Sequence, residues 1–502
     1  MLRNVWKPVA ASVVTGAPAY YLYSTWKTRE TFELPIRVRQ ADGSVGMSTK
    51  TIPLLTLDEV NVRLNERATA ESILRPNGIK WNYANASLPS NNPIEDAHSK
   101  EIVARDATDP SKPGDFAFFA MFDGHGGYET SSLLSQILIK AVSLELSKLI
   151  AAPTPSLAGR ATSLFSAASA PSNDPARVAD AIKLAFTNLD WELINAPLRI
   201  IAQNIDEESR KKKLIPDLSQ HPLAMKVVEP AISGSCALMA IFDTVHEDLY
   251  VACTGDARAV GGAYSDGQWS IDVLSEDQTG RNPKEKARMQ AEHPADEAEN
   301  VIRRGRVLGG LEPTRAFGDA RYKWPREIHE LISNVFMKGA GRELRPQPSA
   351  LKTPPYVTAK PEIEHRKVSF RAGTSSFCVL ATDGLWDELS SEEVAQLVIL
   401  HLAGKKGDVP RAELSALVPT TATNATIQGK DARRQRKSGS WAFQDDNVAV
   451  HLIRNALGGG DEAELRQLVS IPAPLSRRHR DDITVTVVWW EGDKEQSVKA
   501  KL

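Results

Sequence analysis

The feature that most constrains this chain is a set of short apolar runs that each meet a carboxylate at one end. Phe116–Phe122 runs into Asp123-Gly124-His125-Gly126-Gly127. Leu249–Cys253 runs into Thr254-Gly255-Asp256, and Phe377–Ala381 into Thr382-Asp383-Gly384-Leu385-Trp386-Asp387. Asp481-Asp482 stands directly before Ile483–Trp490, and Glu95-Asp96 precedes the first run. Runs of this kind, rich in Val, Phe, Ile and Leu and bounded by turn residues, read as strands. If they share a sheet, the acids gather at one edge.

A single Asp-Gly is an ordinary turn dipeptide. The set is different, because uncompensated carboxylates that close repel one another and take up protons. Divalent cations relieve that repulsion. An all-oxygen set without a Cys or His cage suits magnesium or manganese better than zinc. Glycine beside an acid lets a backbone carbonyl approach a metal. His125 lies two residues after Asp123 in a Gly-flanked turn. Its titration range suits a group that protonates a leaving group.

At 502 residues, the chain holds one large domain with additions or a few smaller ones. Its 42% hydrophobic and 25% charged content excludes a disordered chain, a collagen and a polytopic membrane protein. Lys plus Arg (61) nearly balances Asp plus Glu (63), which argues against a nucleic-acid binder and against a metal-dependent nuclease. Three cysteines, Cys236, Cys253 and Cys378, lie in apolar runs without C-x-x-C spacing. They read as buried reduced thiols.

The two ends read as addresses. Arg3, Lys7, Lys27 and Arg29 precede the first acid, Glu30, the composition of a mitochondrial presequence. Pro8 to Trp26 is uncharged and just long enough to span a bilayer, with aromatics near its ends. A single membrane anchor, a cleaved secretory signal and a disordered start are the other readings. The final Ala500-Lys501-Leu502 differs from a peroxisomal S-K-L tail only by Ala for Ser.

Between the ends, Thr56-Leu57-Asp58-Glu59 predicts a capping box opening a helix through Ala70. Further helices are expected at Glu129–Ile150, Asp180–Asn195, Pro283–Glu292 and Ser391–Leu402. The polar stretch Asp243 to Asp248 is expected to join two strands as a hairpin. Ala151–Pro175, Lys338–Pro355 and Gly404–Gln444 read as inserted surface loops. The last carries Lys430, Arg433, Arg434, Arg436 and Lys437, a solvated face or a docking surface. No internal repeat is visible. The expected division is a targeting segment or anchor over 1–30, an extension with a helix over 31–80, a main domain over 81–491 and a tail.

Six motifs appear in order: Glu95-Asp96-Ala97-His98, Asp123-Gly124-His125-Gly126-Gly127, Gly255-Asp256-Ala257-Arg258-Ala259-Val260, Thr314-Arg315-Ala316-Phe317-Gly318-Asp319, Asp383-Gly384-Leu385-Trp386-Asp387 and Arg480-Asp481-Asp482-Ile483-Thr484-Val485. Together they resemble the metal-dependent protein serine/threonine phosphatases of type 2C, over roughly residues 55–490. Within that family the chain is most similar to the mitochondrial pyruvate dehydrogenase phosphatases. The runs Ser90 to Asp96, Glu292 to Trp324 and Thr353 to Glu362 carry that similarity.

The resemblance implies an α+β fold, a central β-sandwich of two antiparallel sheets flanked by helices, with the metal centre at one end. It implies magnesium or manganese, two ions with a third as an option. Asp123 would bridge two ions and the Gly124 carbonyl would bind one. Asp383 and Asp481 would complete the inner set, and Glu95 and Asp96 would act largely through water. Asp256 and Asp387 would help hold the weaker third ion, and His125 would be the general acid. The implied substrate is a phosphoprotein, in the subgroup the E1 subunit of pyruvate dehydrogenase. One rival reading is a type 2C phosphatase acting on other mitochondrial or peroxisomal phosphoproteins; the rival from another class is a metal-stabilised scaffold that docks phosphoproteins without hydrolysing them.

Three positions depart from the family pattern. Asn91 stands where most members place a phosphate-binding Arg, so a neutral donor would meet phosphate there. Ser275-Glu276-Asp277-Gln278 replaces a usual Asp-His, and Ala257 stands where Ser is common.

Overall fold

The computed structural model describes residues 29–40, 43–106, 114–151, 174–212, 214–371, 373–422 and 438–491. The candidate presequence or anchor, most of Ala151–Pro175, the basic run 430–437 and the terminal Ala-Lys-Leu lie outside the described residues. Among the described residues no helix is long and apolar enough to cross a membrane.

Twelve strands form the two main sheets of the described chain: β1 Thr69–Leu74, β2 Lys80–Leu88, β3 Ala97–Ala104, β4 Asp115–Phe122, β5 Ala237–Asp243, β6 Asp248–Thr254, β7 Arg258–Ser265, β8 Gln268–Val273, β9 Glu362–Lys367, β10 Ser375–Ala381, β11 Thr420–Ala422 and β12 Ile483–Glu491. One sheet has the order β9-β6-β5-β4-β3 and the other β11-β8-β7-β10-β12-β2-β1. All neighbours are antiparallel except β8 and β11, which pair in parallel at an edge. That one pair departs from the expected all-antiparallel sandwich.

The central strands are continuous apolar runs because both of their faces are buried. On β4, Ala117, Phe119 and Met121 point into the layer between the sheets, while Phe116, Phe118, Ala120 and Phe122 meet the helices outside. The helices Glu129–Ala151 and Pro175–Gln203 cover that outer face. Ser391–Leu402 and Val448–Ala456 cover the seven-stranded sheet. The result is a helix–sheet–sheet–helix stack.

Trp81, Phe119, Phe242, Phe370 and Trp490 fill one end of the inter-sheet layer, with ring centroids 5.0–6.1 Å apart. Burying each such ring contributes about 1.5–3 kcal/mol. Toward the other end the layer turns polar. There the Asn85 amide donates to Thr486 Oγ1 at 3.0 Å and Thr484 Oγ1 donates to Ser87 Oγ at 3.1 Å.

The local expectations hold with four adjustments. The Thr56–Glu59 capping box is present, but its helix is Leu57–Asn65 and does not reach Ala70. Ala70 instead pairs with Ala84 inside β1, where β-branched Thr69 and Ile73 suit a strand. The helix expected over Asp180–Asn195 is longer. Asp174 caps it, Pro175 opens it, and it continues through Pro197. The stretch Lys338–Pro355 is more than a surface loop, since Leu344 and Leu351 are buried in two separate clusters. Near the ends of Gly404–Gln444, Gly407–Pro410 and Ser440–Phe443 pair as antiparallel strands.

The hairpin Thr31–Arg39 with Val45–Pro53 packs Leu34 and Ile52 on Ile471, and Val60 and Leu64 enter the main core. The segment before residue 81 therefore shares the core of the sandwich.

Candidate metal centre

Strand register places the acids. Ala97, which opens β3, lies opposite Phe122, which closes β4. Ala381, at the end of β10, lies opposite Arg258 at the start of β7 and opposite Val485 near the start of β12. Asp96, Asp123, Asp256, Asp383 and Asp481 sit just beyond these strand ends, on one end of the sandwich. Both sheets contribute.

Asp123, Asp256 and Asp383 each offer a carboxylate oxygen within 4.8 Å of the others. The Asp383 amide donates to Asp123 Oδ2 at 3.3 Å. Asp387 lies one turn further on, and its amide donates to the Asp383 carbonyl. Asp96 is buried and accepts from Thr382 Oγ1 at 2.9 Å. Asp481 accepts from the amide of Asp482 and forms an ion pair with Arg477.

The electrostatics are those of crowded acids. Burial, then Asp383, Asp96, Asp256 and Asp481, push the Asp123 carboxyl well above the usual carboxylate range. Burial, with Asp482 and Asp481, does the same to Asp96. Burial and Asp383 raise Asp481 to about 7 against the pull of Arg477. Burial raises Glu95, which the Gly127 amide partly offsets. Every donor in the cluster is oxygen, and neighbouring negative charge is a shared cause of strain. This donor set fits a hard divalent cation such as magnesium or manganese.

Glu95 is held from two sides. Gly127 N donates to Oε1 at 2.7 Å and Asn91 Nδ2 to Oε2 at 3.0 Å. Asn91 also directs Nδ2 to Asp482 Oδ2 at 3.2 Å. Both of its amide hydrogens thus point at carboxylates. Gly124 packs where any side chain would overlap the Glu95 carbonyl and Ser131 Oγ. Close backbone approach is therefore a second reason for glycine at that position.

His125 sits in a small three-stranded sheet of Phe317–Gly318, Gly234–Ser235 and Gly124–His125. This sheet brings Asp319 to His125, with Nε2 and Oδ2 2.6 Å apart. Burial alone would lower the imidazole pKa, but Asp319, with Asp256 and Glu95, raises it above its ordinary value. Beside His125 opens a cleft of about 340 Å³, lined by Asp319, Arg321, Tyr322, His329 and Arg345 among others.

Four supporting residues escaped the sequence reading. Asp482 accepts from the amides of Ser90 and Asn91 through Oδ1, and from Glu95 N and Asn91 Nδ2 through Oδ2. It therefore fixes the whole Ser90–Glu95 loop. Gln278, in the stretch that departs from the family's Asp-His, clamps the turn before Asp256. Its Oε1 accepts from Gly255 N at 2.8 Å and its Nε2 donates to the Cys253 carbonyl. Asp319 was visible only as the last letter of a motif. Arg477 carried no signal, since an Arg-Arg pair in a loop is common. The three cysteines are buried and free. Cys236 borders the cluster, its Sγ directed to Asp256 Oδ1 at 3.3 Å, and burial raises its thiol pKa.

Comparison with known proteins points the same way. Residues 167–429, just over half of the chain, match the family model of protein phosphatase 2C. That stretch contains Asp256, Asp319, Asp383 and Asp387, while Asp123 and Asp481 flank it. A protein phosphatase 2C homolog of Schizosaccharomyces pombe is 35% identical over 97% of this chain and 96% of its own length. The mitochondrial [pyruvate dehydrogenase [acetyl-transferring]]-phosphatase 1 of Saccharomyces cerevisiae is 36% identical over 88% of this chain and 74% of its own. The mitochondrial [pyruvate dehydrogenase [acetyl-transferring]]-phosphatase 2 of Homo sapiens is 30% identical over 88% and 84%. Among solved structures, a serine-threonine phosphatase 2C from Toxoplasma gondii covers 92% of this chain and 100% of its own. Its TM-score of 0.39 and 13% identity are too slight to bear on the argument.

Proposed function

Because this chain belongs to the protein phosphatase 2C family, and is a protein serine/threonine phosphatase, we propose that its substrate is the phosphorylated E1 subunit of pyruvate dehydrogenase in mitochondria. The printed names of relatives at 30–36% identity support that substrate and compartment. The basic, acid-free start before Glu30 agrees with a presequence. The observation that carries the chemistry is the meeting of Asp123, Asp256 and Asp383 within 4.8 Å.

Asp123 and the Gly124 carbonyl, with Asp383 and Asp481, would hold magnesium or manganese, and Glu95 and Asp96 would assist largely through water. Asp256 and Asp387 would help hold a further, weaker-bound ion. When bound, such ions supply a more acidic water and neutralise charge on the phosphoryl oxygens.

The chain's own residues do the rest. Asp482 and Asn91 hold the loop that presents Glu95. Asp319 fixes the His125 ring through Nε2 and keeps the imidazole protonated to higher pH. The protonated ring then gives its Nδ1 proton to the serine or threonine oxygen as the ester bond breaks. The route is direct hydrolysis, so it calls for no activated Cys or Ser; burial keeps all three thiols protonated.

The test is phosphate release from phosphorylated E1 and from an unrelated phosphoserine protein. Each is run with manganese or magnesium, with EDTA, and with Asp123→Asn. Metal-dependent release favouring E1 is expected. Equal release from both would remove the E1 assignment, and release by Asp123→Asn at the wild-type rate would remove the assigned metal site.

A further inference from the structure

The mouth of the acid cluster needs a fixed positive charge, because a phosphate monoester near neutral pH carries close to two negative charges. Asn91 is poorly suited to meet it. Its two amide hydrogens are directed to Glu95 Oε2 at 3.0 Å and Asp482 Oδ2 at 3.2 Å.

Arg477 is placed where that charge is required. It forms an ion pair with Asp481, and its charge acts on Asp383, Asp123 and Glu95 as well. Its side chain remains 45% exposed, so the guanidinium faces both the acids and solvent. It rides on the short turn Ser476–Arg478, which Ser476 Oγ ties to the Ser90 carbonyl at 2.6 Å. The turn is thereby fixed to the same loop that presents Glu95. A second nearby cation, Arg480, is only 4% exposed and directs Nε to the Leu468 carbonyl at 3.4 Å. It is sealed from substrate.

We propose that Arg477 is the residue that grips the phosphoryl group of the substrate beside the acid cluster. The inference rests on the phosphatase reading above. A planar guanidinium offers two parallel donors to phosphate oxygens, which neither an amide nor an ammonium reproduces. The pairing with Asp481 holds the side chain over the cluster before substrate arrives.

The test compares wild type, Arg477→Gln and Arg477→Lys, each loaded with manganese. KM and kcat are measured on a phosphoserine peptide. Binding of inorganic phosphate is measured by calorimetry, and manganese affinity by separate titration. Arg477→Gln is expected to raise KM and weaken phosphate binding by roughly tenfold or more, the weight of one charge-assisted hydrogen bond. Arg477→Lys should recover part of this. Manganese affinity should hold or tighten, since a competing cation has left Asp481. Unchanged phosphate binding would overturn the proposal. So would weakened manganese binding with phosphate affinity intact, because Arg477 would then only position Asp481. A wild type that binds phosphate through Arg477 yet releases none from a phosphoprotein would overturn the phosphatase reading and leave this inference standing.

Discussion

Gly234 separates His125 from Asp319 on the small sheet, and the two side chains close over it with Nε2 and Oδ2 2.6 Å apart. Any side chain at 234 would overlap both His125 Nε2 and Asp319 Oδ2. The bond thus depends on three segments, each supplying one strand of that sheet.

This bond sets the first prediction. Asp319 raises the His125 pKa against the effect of burial, so Asp319→Asn should let it fall. Asp319 has a φ of 50°, a conformation that Asn tolerates. The alkaline limb of kcat should move to lower pH, and kcat at pH 8 should drop roughly ten- to a hundredfold, as for other partners that orient a reacting group. His125→Ala should cost more, about 10²- to 10⁴-fold, the range for a general acid. A pH–rate profile of each variant reads both effects.

The second concerns metal removal. Asp123 sits among four acids that raise its pKa, so neutralising it relieves repulsion in the metal-free protein. In EDTA, Asp123→Asn should melt at or above the wild-type temperature. In manganese the order should reverse, because only wild type gains binding energy from the ion. Thermal melts with and without metal decide this, and an Asp123→Asn protein that melts higher than wild type in both conditions would contradict it.

The third follows from a buried pair. Lys323 Nζ donates to both Asp190 oxygens, at 2.8 and 2.7 Å, and to the Ala316 carbonyl. Asp190 Oδ1 also accepts from Gly318 N at 2.9 Å. The pair locks the long helix Pro175–Gln203 to the segment that carries Asp319. Asp190→Ala should cost about 3–5 kcal/mol, because it strands a buried ammonium. Asp190→Leu with Lys323→Met should recover much of this. Denaturant unfolding measures both.

The fourth is a pH dependence. Burial would raise the Glu285 carboxyl, but hydrogen bonds from Arg315 and Arg288 outweigh it and hold it at about 2. A carboxyl held below its unfolded value of about 4.3 binds fewer protons when folded. Its contribution, on the order of 3 kcal/mol, is complete above that pH and disappears as the pH falls toward 2. Glu285→Gln should therefore be less stable at pH 7 and show a shallower stability loss between pH 4.3 and 2. Acid unfolding followed by fluorescence reads the slope.

Much of the site was legible because strands buried on both faces leave uninterrupted apolar runs. Phe116–Phe122 and Ile483–Trp490 announce themselves, and the acids at their ends follow from antiparallel register. Strands such as Glu362–Lys367 and Arg258–Ser265 were not legible. They carry charge or glycine, and only their neighbours make them strands. The helix expected through Ala70 overruns into the strand Thr69–Leu74 because the capping box upstream is real and no glycine or proline marks where that helix stops. Asp482 and Gln278 act through contacts with residues far away in the chain, and Arg477 matters only because its neighbour Asp481 joins acids from distant segments. No local pattern distinguishes such residues from ordinary surface polar groups.

The Asp482 carboxylate reaches back across nearly the whole chain to the amides of Ser90, Asn91 and Glu95. The strand that follows it, β12, lies between β10 and β2 in the middle of its sheet. During synthesis, then, two halves of that sheet emerge from the ribosome with no partner for their facing edges. The acids before residue 480 are all made long before the strand that brings them to one point. The acid set is therefore completed only when that last strand inserts between β10 and β2, so assembly of the site waits on the most long-range pairing of the sheet.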